Sequence, residues 1–178
     1  MRTPPGSGAR GKAAPMTVSR LVPSLALAAA LLVAPGAATA VAKKNPYTAA
    51  GVCGHGFTPI DRHQLIDSNN GKRLAEVVLS YDATTGRNCV VTLKRYRVGL
   101  ATKYGDNLMA EVYTRPLRDP ANVQANQGSF KYYAGPVYVT APGKCVRWGG
   151  QADLLVPANW VPRGMFHSAF RSGWTHCG

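Results

Sequence analysis

Residues 76–94 read Glu76-Val-Val-Leu-Ser-Tyr-Asp-Ala-Thr-Thr-Gly-Arg-Asn-Cys-Val-Val-Thr-Leu-Lys94, and this stretch decides the fold class. Two runs rich in β-branched residues flank a polar turn that contains Gly86, which is typical of a β-hairpin. With a period of two, one face of the first run carries Val77, Leu79 and Tyr81, and one face of the second carries Cys89, Val91 and Leu93. The stretch therefore predicts a hairpin with one buried face.

A second β-hairpin is predicted from Pro136 to Trp148, with Pro142 and Gly143 as its turn. Further short strands are expected at residues 57–60 and 130–133. A high glycine and proline content, without a long stretch of 3.6-residue periodicity, argues against a helical fold. We therefore expect a mostly β protein, a small antiparallel sandwich or barrel built from hairpins.

Two segments depart from the strand pattern. Phe166, Phe170 and Trp174 recur every four residues, which is consistent with one short C-terminal helix or an irregular tail that lays aromatic rings on the core. Residues 116–128 are rich in Asn and Gln and lack alternation, so they are expected to form a loop.

The first forty residues have the layout of a secretion signal. Basic residues precede the apolar run from Leu21 to Val33, and the small-residue triplet Ala38-Thr39-Ala40 follows it. The apolar run is shorter than the roughly 20 residues that a membrane-spanning helix needs. We therefore expect a signal peptide at residues 1–40, cleaved after Ala40, with Met1 or Met16 as the initiator.

Cleavage at this point leaves a mature chain with a flexible leader, residues 41–50, and a single domain, residues 51–178. All four cysteines lie in this domain: Cys53, Cys89, Cys145 and Cys177. An even number of cysteines behind a secretion signal predicts disulfides, whereas a zinc site would need a closely spaced cysteine pair that the chain lacks. Three pairings are possible. We favour Cys53 with Cys89 and Cys145 with Cys177, the neighbours in sequence.

The mature domain is strongly basic. Cleavage removes four of the 21 basic residues and none of the eight acidic ones, which leaves 17 against eight, a net charge of +9. Such a domain is attracted to polyanions. The candidate contacts are Lys94, Arg95, Arg97 and Lys103, which are interleaved with tyrosines. The alternative is a solvated strand end whose charges discourage aggregation.

The chain offers little that points to catalysis. It contains no nucleophile elbow, zinc-protease motif or phosphate-binding loop, so we predict no catalytic residue, metal site or cofactor. His55 and His63 flank Asp61, and these three could form an acid/base site if the fold joined them. A secreted hydrolase with a site at these residues therefore stays an alternative.

Four blocks around the cysteines resemble one known family. They are Gly51-Val-Cys-Gly-His-Gly-Phe57, the run Thr85-Gly-Arg-Asn-Cys-Val-Val-Thr92, residues 132–150 around Gly143-Lys-Cys-Val-Arg-Trp-Gly-Gly150, and His176-Cys-Gly178. In this order they resemble the actinobacterial spore-associated protein A family of small secreted proteins. Residues 95–127 and 151–174 contain no sequence motif of this family. The family has no established catalytic residues that could be transferred to this chain.

The resemblance implies an extracellular protein of the spore or cell-wall surface. Together with the charge, it leads us to expect a non-enzymatic protein whose partners are anionic cell-wall or spore-surface polymers, with no specific nucleic-acid site and no transmembrane segment in the mature chain. A cationic nucleic-acid-binding or antimicrobial protein is a further alternative. The sequence leaves the ligand and the oligomeric state open.

Overall fold

The chain folds into two four-stranded antiparallel sheets packed face to face, within residues 43–100, 106–155 and 164–178, which the computed structural model describes. One sheet contains β1 (Thr58–Ile66), β2 (Arg73–Asp82), β3 (Arg87–Lys94) and β6 (Tyr133–Thr140), in that order. The other has the order β5-β4-β7-β8, made of β4 (Asn107–Thr114), β5 (Val123–Gly128), β7 (Val146–Leu155) and β8 (Met165–Arg171). The predicted fold class, a mostly β antiparallel sandwich with two disulfides, is confirmed.

The apolar faces of the two sheets meet in one core. Val77, Leu79 and Val90 of the first sheet pack there with Leu108, Val112 and Trp148 of the second, and all are buried. The sheets approach closely at Gly150 of β7. A Cβ atom at this glycine would lie 2.4 Å from Thr92 Oγ1 and 2.7 Å from the Met109 carbonyl oxygen. The core therefore leaves no room for a side chain at this point.

The predicted hairpin forms between β2 and β3, with Ala75 opposite Lys94 and Asp82 opposite Arg87. The expectation of one buried face is wrong, because both faces are covered. The register pairs Val77 with Thr92 and Leu79 with Val90, so Cys89, Val91 and Leu93 point to the other side of the sheet. There they pack against α1 (Ala49–Cys53) and Phe57 in a second apolar cluster.

The second predicted hairpin does not form. β6 pairs with β3 in the first sheet and β7 pairs with β4 and β8 in the second, so the chain crosses between sheets at residues 141–145. Val139 and Trp148 then face the same core from opposite sheets. Two alternating runs joined by a turn look alike in sequence whether they pair with each other or face each other across a core.

The C-terminal segment is a strand, not a helix. The short α-helix of the described chain lies near the other end, at Ala49–Cys53, while Phe166 and Phe170 belong to β8. An interval of four residues also satisfies a period of two, so both rings lie on the core side of the strand. Residues 123–128, expected as loop, form the edge strand β5, in which exposed and half-buried residues alternate.

The predicted leader is packed from its fifth residue on. The Asn45 side chain is buried and donates to the carbonyl oxygens of Lys94 at 3.0 Å and Tyr132 at 2.7 Å. The ring of Tyr47 lies 5.2 and 5.0 Å from the rings of Tyr132 and Tyr133. Thr48 then caps the N-terminus of α1 by accepting from the Gly51 amide. The packed domain therefore begins by Asn45 rather than at Gly51.

Two disulfides join Cys53 to Cys89 and Cys145 to Cys177. The first ties α1 to the outer face of β3, and the second ties the C-terminal segment to the start of β7. No described helix is long and apolar enough to cross a bilayer. The predicted signal peptide, residues 1–40, lies outside the described residues.

Candidate functional site

Three of the four predicted polyanion contacts, Lys94, Arg95 and Arg97, make contacts within the protein. Lys94 is fully buried, and its ammonium group lies 3.0 Å from Asp106 Oδ2 and 2.8 Å from the Leu100 carbonyl oxygen. Burial lowers the pKa of Lys94, while the hydrogen bond and the charge of Asp106 oppose that shift. The prediction that Lys94 contacts a polyanion is therefore wrong, because the strand is covered on both faces.

The two neighbouring arginines, Arg95 and Arg97, bind other groups of the same chain. The guanidinium group of Arg95 forms an ion pair with Glu76. Arg97 donates through Nη1 to the Leu155 carbonyl oxygen at 2.8 Å. Arg95 therefore ties the segment after β3 to β2, and Arg97 ties it to the end of β7. The fourth predicted contact, Lys103, lies outside the described residues.

His55, Asp61 and His63 make separate contacts. Asp61 Oδ2 lies 3.1 Å from Nε2 of His176 in the C-terminal segment. The His63 ring stacks on Phe170, with ring centres 3.8 Å apart and planes inclined by 9°. His55 is exposed in the turn after α1. No hydrogen bond between described residues joins these three side chains, and no three His, Cys, Asp or Glu side chains in the described ranges are placed to hold a metal ion.

A different set of basic residues gathers around one aromatic ring. The guanidinium carbons of Arg115 and Arg147 lie 4.8 and 4.9 Å from the centre of the Trp174 ring. Arg115 follows β4, Arg147 is the second residue of β7, and Trp174 follows β8. At these distances each guanidinium group makes a cation–π contact that holds it over the indole.

The sheet and a disulfide bring the three segments together. Thr114 lies opposite Val146, and Val146 also bridges Thr175, with both backbone N–H···O distances at 2.9 Å. The residues next to this row are therefore neighbours in space. The Cys145–Cys177 bond then fixes the C-terminal segment beside β7.

The cations continue along an open cleft of about 920 Å³ lined by Arg115, Pro116, Leu117, Arg118 and Lys144. Leu117 is half exposed and gives the cleft an apolar wall. We call the whole set the arginine–tryptophan surface, made up of Arg115, Leu117, Arg118, Lys144, Arg147 and Trp174. Its four cations form no ion pair with any carboxylate of the described chain.

One neighbouring arginine is neutralised instead. Arg171 Nη2 donates to Glu111 Oε2 at 2.7 Å, and the Tyr113 hydroxyl donates to the same oxygen at 2.5 Å. The Glu111 hydrogen bond raises the pKa of Arg171, whereas burial first and then Glu111 raise the pKa of Tyr113. The carboxylate fits because Gly149 lies opposite it, and a Cβ there would lie 2.9 Å from Glu111 Oε1.

The residues of the arginine–tryptophan surface were missed in the sequence because they come from three separated segments. One feature of the sequence could have indicated part of this surface. The pairing of Cys145 with Cys177 implies that Lys144 and Arg147 lie beside Trp174. Arg115 and Arg118 could be added only with the position of β4, a strand that the sequence did not reveal.

This chain has a curated relative of similar length. Over 135 residues, 76% of this chain and 79% of the relative, it is 34% identical to Spore-associated protein A of Streptomyces coelicolor. No family model matches the chain. No solved structure matches it significantly.

Proposed function

This chain belongs to the spore-associated protein A family, and on that premise we propose that it is a secreted, non-enzymatic protein of the spore or cell-wall surface, held there on anionic polymers. The name of the relative describes an association with the spore and no reaction. The polymers in question carry phosphate or carboxylate groups.

The observation that carries the proposal is the pair of arginines on Trp174. Contacts to the indole hold Arg115 and Arg147 in place, and neither guanidinium group makes a hydrogen bond within the described residues that it would have to give up. An arginine that is already ordered loses less entropy when it binds a phosphate or a carboxylate. Arg118 and Lys144 extend the positive charge along the cleft.

A polymer suits this surface better than a single small anion. The cleft is open, and its cations line it rather than converge on one buried point. A small anion would stay hydrated there, because exposed ion pairs in water contribute only about 0–1 kcal/mol each. Several weak contacts along one chain add up, since each later contact is intramolecular.

The experiment measures the salt concentration that elutes the mature protein, residues 41–178, from isolated cell walls and from spores. The test variant is Arg115→Gln/Arg147→Gln. The matched control is Lys44→Gln/Lys131→Gln, which removes two exposed charges that do not line the cleft. We expect the test variant to elute at clearly lower salt than the control, which should elute like the wild type.

Two results would overturn the proposal. Retention that does not depend on salt would exclude an electrostatic contact. Equal loss in both variants would show that net charge, and not this surface, holds the protein. Double-stranded DNA added as a competitor tests the nucleic-acid alternative, which requires DNA to bind at least as tightly as the wall.

A further inference from the structure

A separate pocket of about 220 Å³ lies at one end of the sandwich. Three neighbouring strands and the C-terminal segment surround it, through Ile60 of β1, Tyr81 of β2, Asn88 of β3, Gly143 of the β6–β7 turn, and His176 and Cys177. Tyr81 and Asn88 are directly opposite each other in the β2–β3 ladder. The Cys145–Cys177 bond holds the C-terminal wall in place.

One residue that lines the pocket, Asn88, has a buried acceptor without a donor. Asn88 is only 3% exposed, and its Oδ1 atom has no hydrogen-bond partner among the described residues. A buried amide oxygen without a donor costs about 1–3 kcal/mol, and folded proteins rarely leave one in that state. Asn88 lines the pocket, so a turn of its side-chain amide would bring this oxygen to a molecule that enters and supplies the missing donor.

The other walls indicate what kind of molecule this is. Tyr81 supplies an aromatic ring and Ile60 an aliphatic side chain. His176 is fixed at the rim by Asp61, with 3.1 Å between Nε2 and Oδ2. One aromatic wall with a few fixed polar groups suits a ligand that has both hydroxyl groups and a C–H face.

The volume and the charge of the pocket limit the class of ligand further. Pockets for drug-sized ligands measure about 300–1,000 Å³, so 220 Å³ admits a molecule of one ring or smaller. Asn88 carries no charge, and the Asp61 carboxylate at the rim is already paired with His176. Gly178 also lines the pocket, and its terminal carboxylate disfavours an anionic ligand.

We propose that this pocket binds one neutral sugar ring or a polyol of similar size, which donates a hydroxyl hydrogen to Asn88 Oδ1. The ring of Tyr81 packs against the C–H face of the ligand. The site is distinct from the arginine–tryptophan surface, so this proposal and the salt-dependent retention can fail independently.

The test is a titration of the isotope-labelled mature protein with glucose, N-acetylglucosamine and glycerol, followed by NMR. We expect at least one probe to shift the Asn88 side-chain amide and the Tyr81 ring signals in a saturable way. Asn88→Leu should weaken that binding at least about tenfold, because it removes the acceptor. The control Asn69→Leu, in the exposed β1–β2 turn, should bind like the wild type.

A second measurement separates binding from folding. Because Leu has nearly the shape of Asn and needs no donor, Asn88→Leu should leave the Tm of the free protein unchanged or raise it. A fall in Tm would show that Asn88 has a structural partner and would count against the site. The proposal is also overturned if all three probes give only linear, unsaturable shifts, or if Asn88→Leu binds as tightly as the wild type.

Discussion

The Lys94 ammonium group lies 3.0 Å from the Asp106 carboxylate, and both side chains are almost completely buried. Lys94 is the last residue of β3, and Asp106 directly precedes β4. Asp106 also accepts from the Leu155 amide through Oδ1 at 2.9 Å. The pair therefore joins the first sheet to two strands of the second.

Lys94→Met should destabilise the mature protein by about 3–5 kcal/mol, because it leaves the Asp106 carboxylate buried without its counter-charge. Urea unfolding at neutral pH measures this loss. The control Lys131→Met, at an exposed lysine, should stay within about 0.5 kcal/mol of the wild type. Similar losses in the two variants would mean that the ion pair contributes nothing.

Gly150→Ala should cost about 1–3 kcal/mol, because the new methyl group would overlap Thr92 Oγ1 and the Met109 carbonyl oxygen in the core. Gly173→Ala is the matched control. A Cβ at Gly173 meets no atom within 4 Å, and its backbone is not in the left-handed region. Chemical unfolding of both variants tests the prediction, and a neutral Gly150→Ala would show that the sheets can separate at no cost.

Asp153→Asn should lose stability at neutral pH but not in acid. Burial alone would raise the pKa of Asp153, but hydrogen bonds from His167, Gln151 and Asn107 outweigh it and lower the pKa. A lowered carboxyl pKa stabilises the fold above about pH 4, and this contribution disappears as the pH falls through the folded-state pKa.

We expect a difference of about 1 kcal/mol between wild type and Asp153→Asn at neutral pH, small because His167 is exposed. Unfolding curves at a series of pH values measure how it changes. A difference that is the same at neutral and acid pH would contradict the charge-based explanation.

Removal of the two disulfides should have different consequences. Each closes a loop of about 35 residues, so loss of either should cost about 3–4 kcal/mol of unfolding free energy. Cys145→Ala/Cys177→Ala should also lower the salt concentration that elutes the protein from walls, because Trp174 is no longer fixed. Cys53→Ala/Cys89→Ala should leave that concentration unchanged. Calorimetry measures the loss of unfolding free energy, and the elution assay measures the salt concentration. Both are run under conditions in which circular dichroism shows that the two variants are folded.

The parts of the fold that follow from local pattern could be predicted. The β2–β3 hairpin depends on alternation over some twenty residues and on one turn, and all of this is visible in the chain. The β6–β7 connection could not be assigned, because the partner of each strand is remote in sequence. β5 carries few apolar residues since it lies at a sheet edge, and polar edge strands resemble loops.

The candidate site was less predictable than the fold for the same reason. Lys94 belongs to a basic run that is typical of a surface, and only the distant Asp106 makes its burial tolerable. Arg115, Arg147 and Trp174 look unremarkable in their own segments. Their proximity depends on the register of β4 with β7 and on the Cys145–Cys177 bond.

The short segment after β8 has a practical consequence. Residues 174–178 supply Trp174 to the arginine–tryptophan surface and His176 to the sandwich-end pocket, and they contribute no strand to either sheet. Removal of this segment would take away part of both proposed binding sites and leave all eight described strands intact. A polypeptide fused after Gly178 would emerge beside Gly143, where a Cβ at Gly178 would already lie 2.8 Å from the Gly143 Cα. Affinity tags for binding studies therefore belong at the other end of the mature chain.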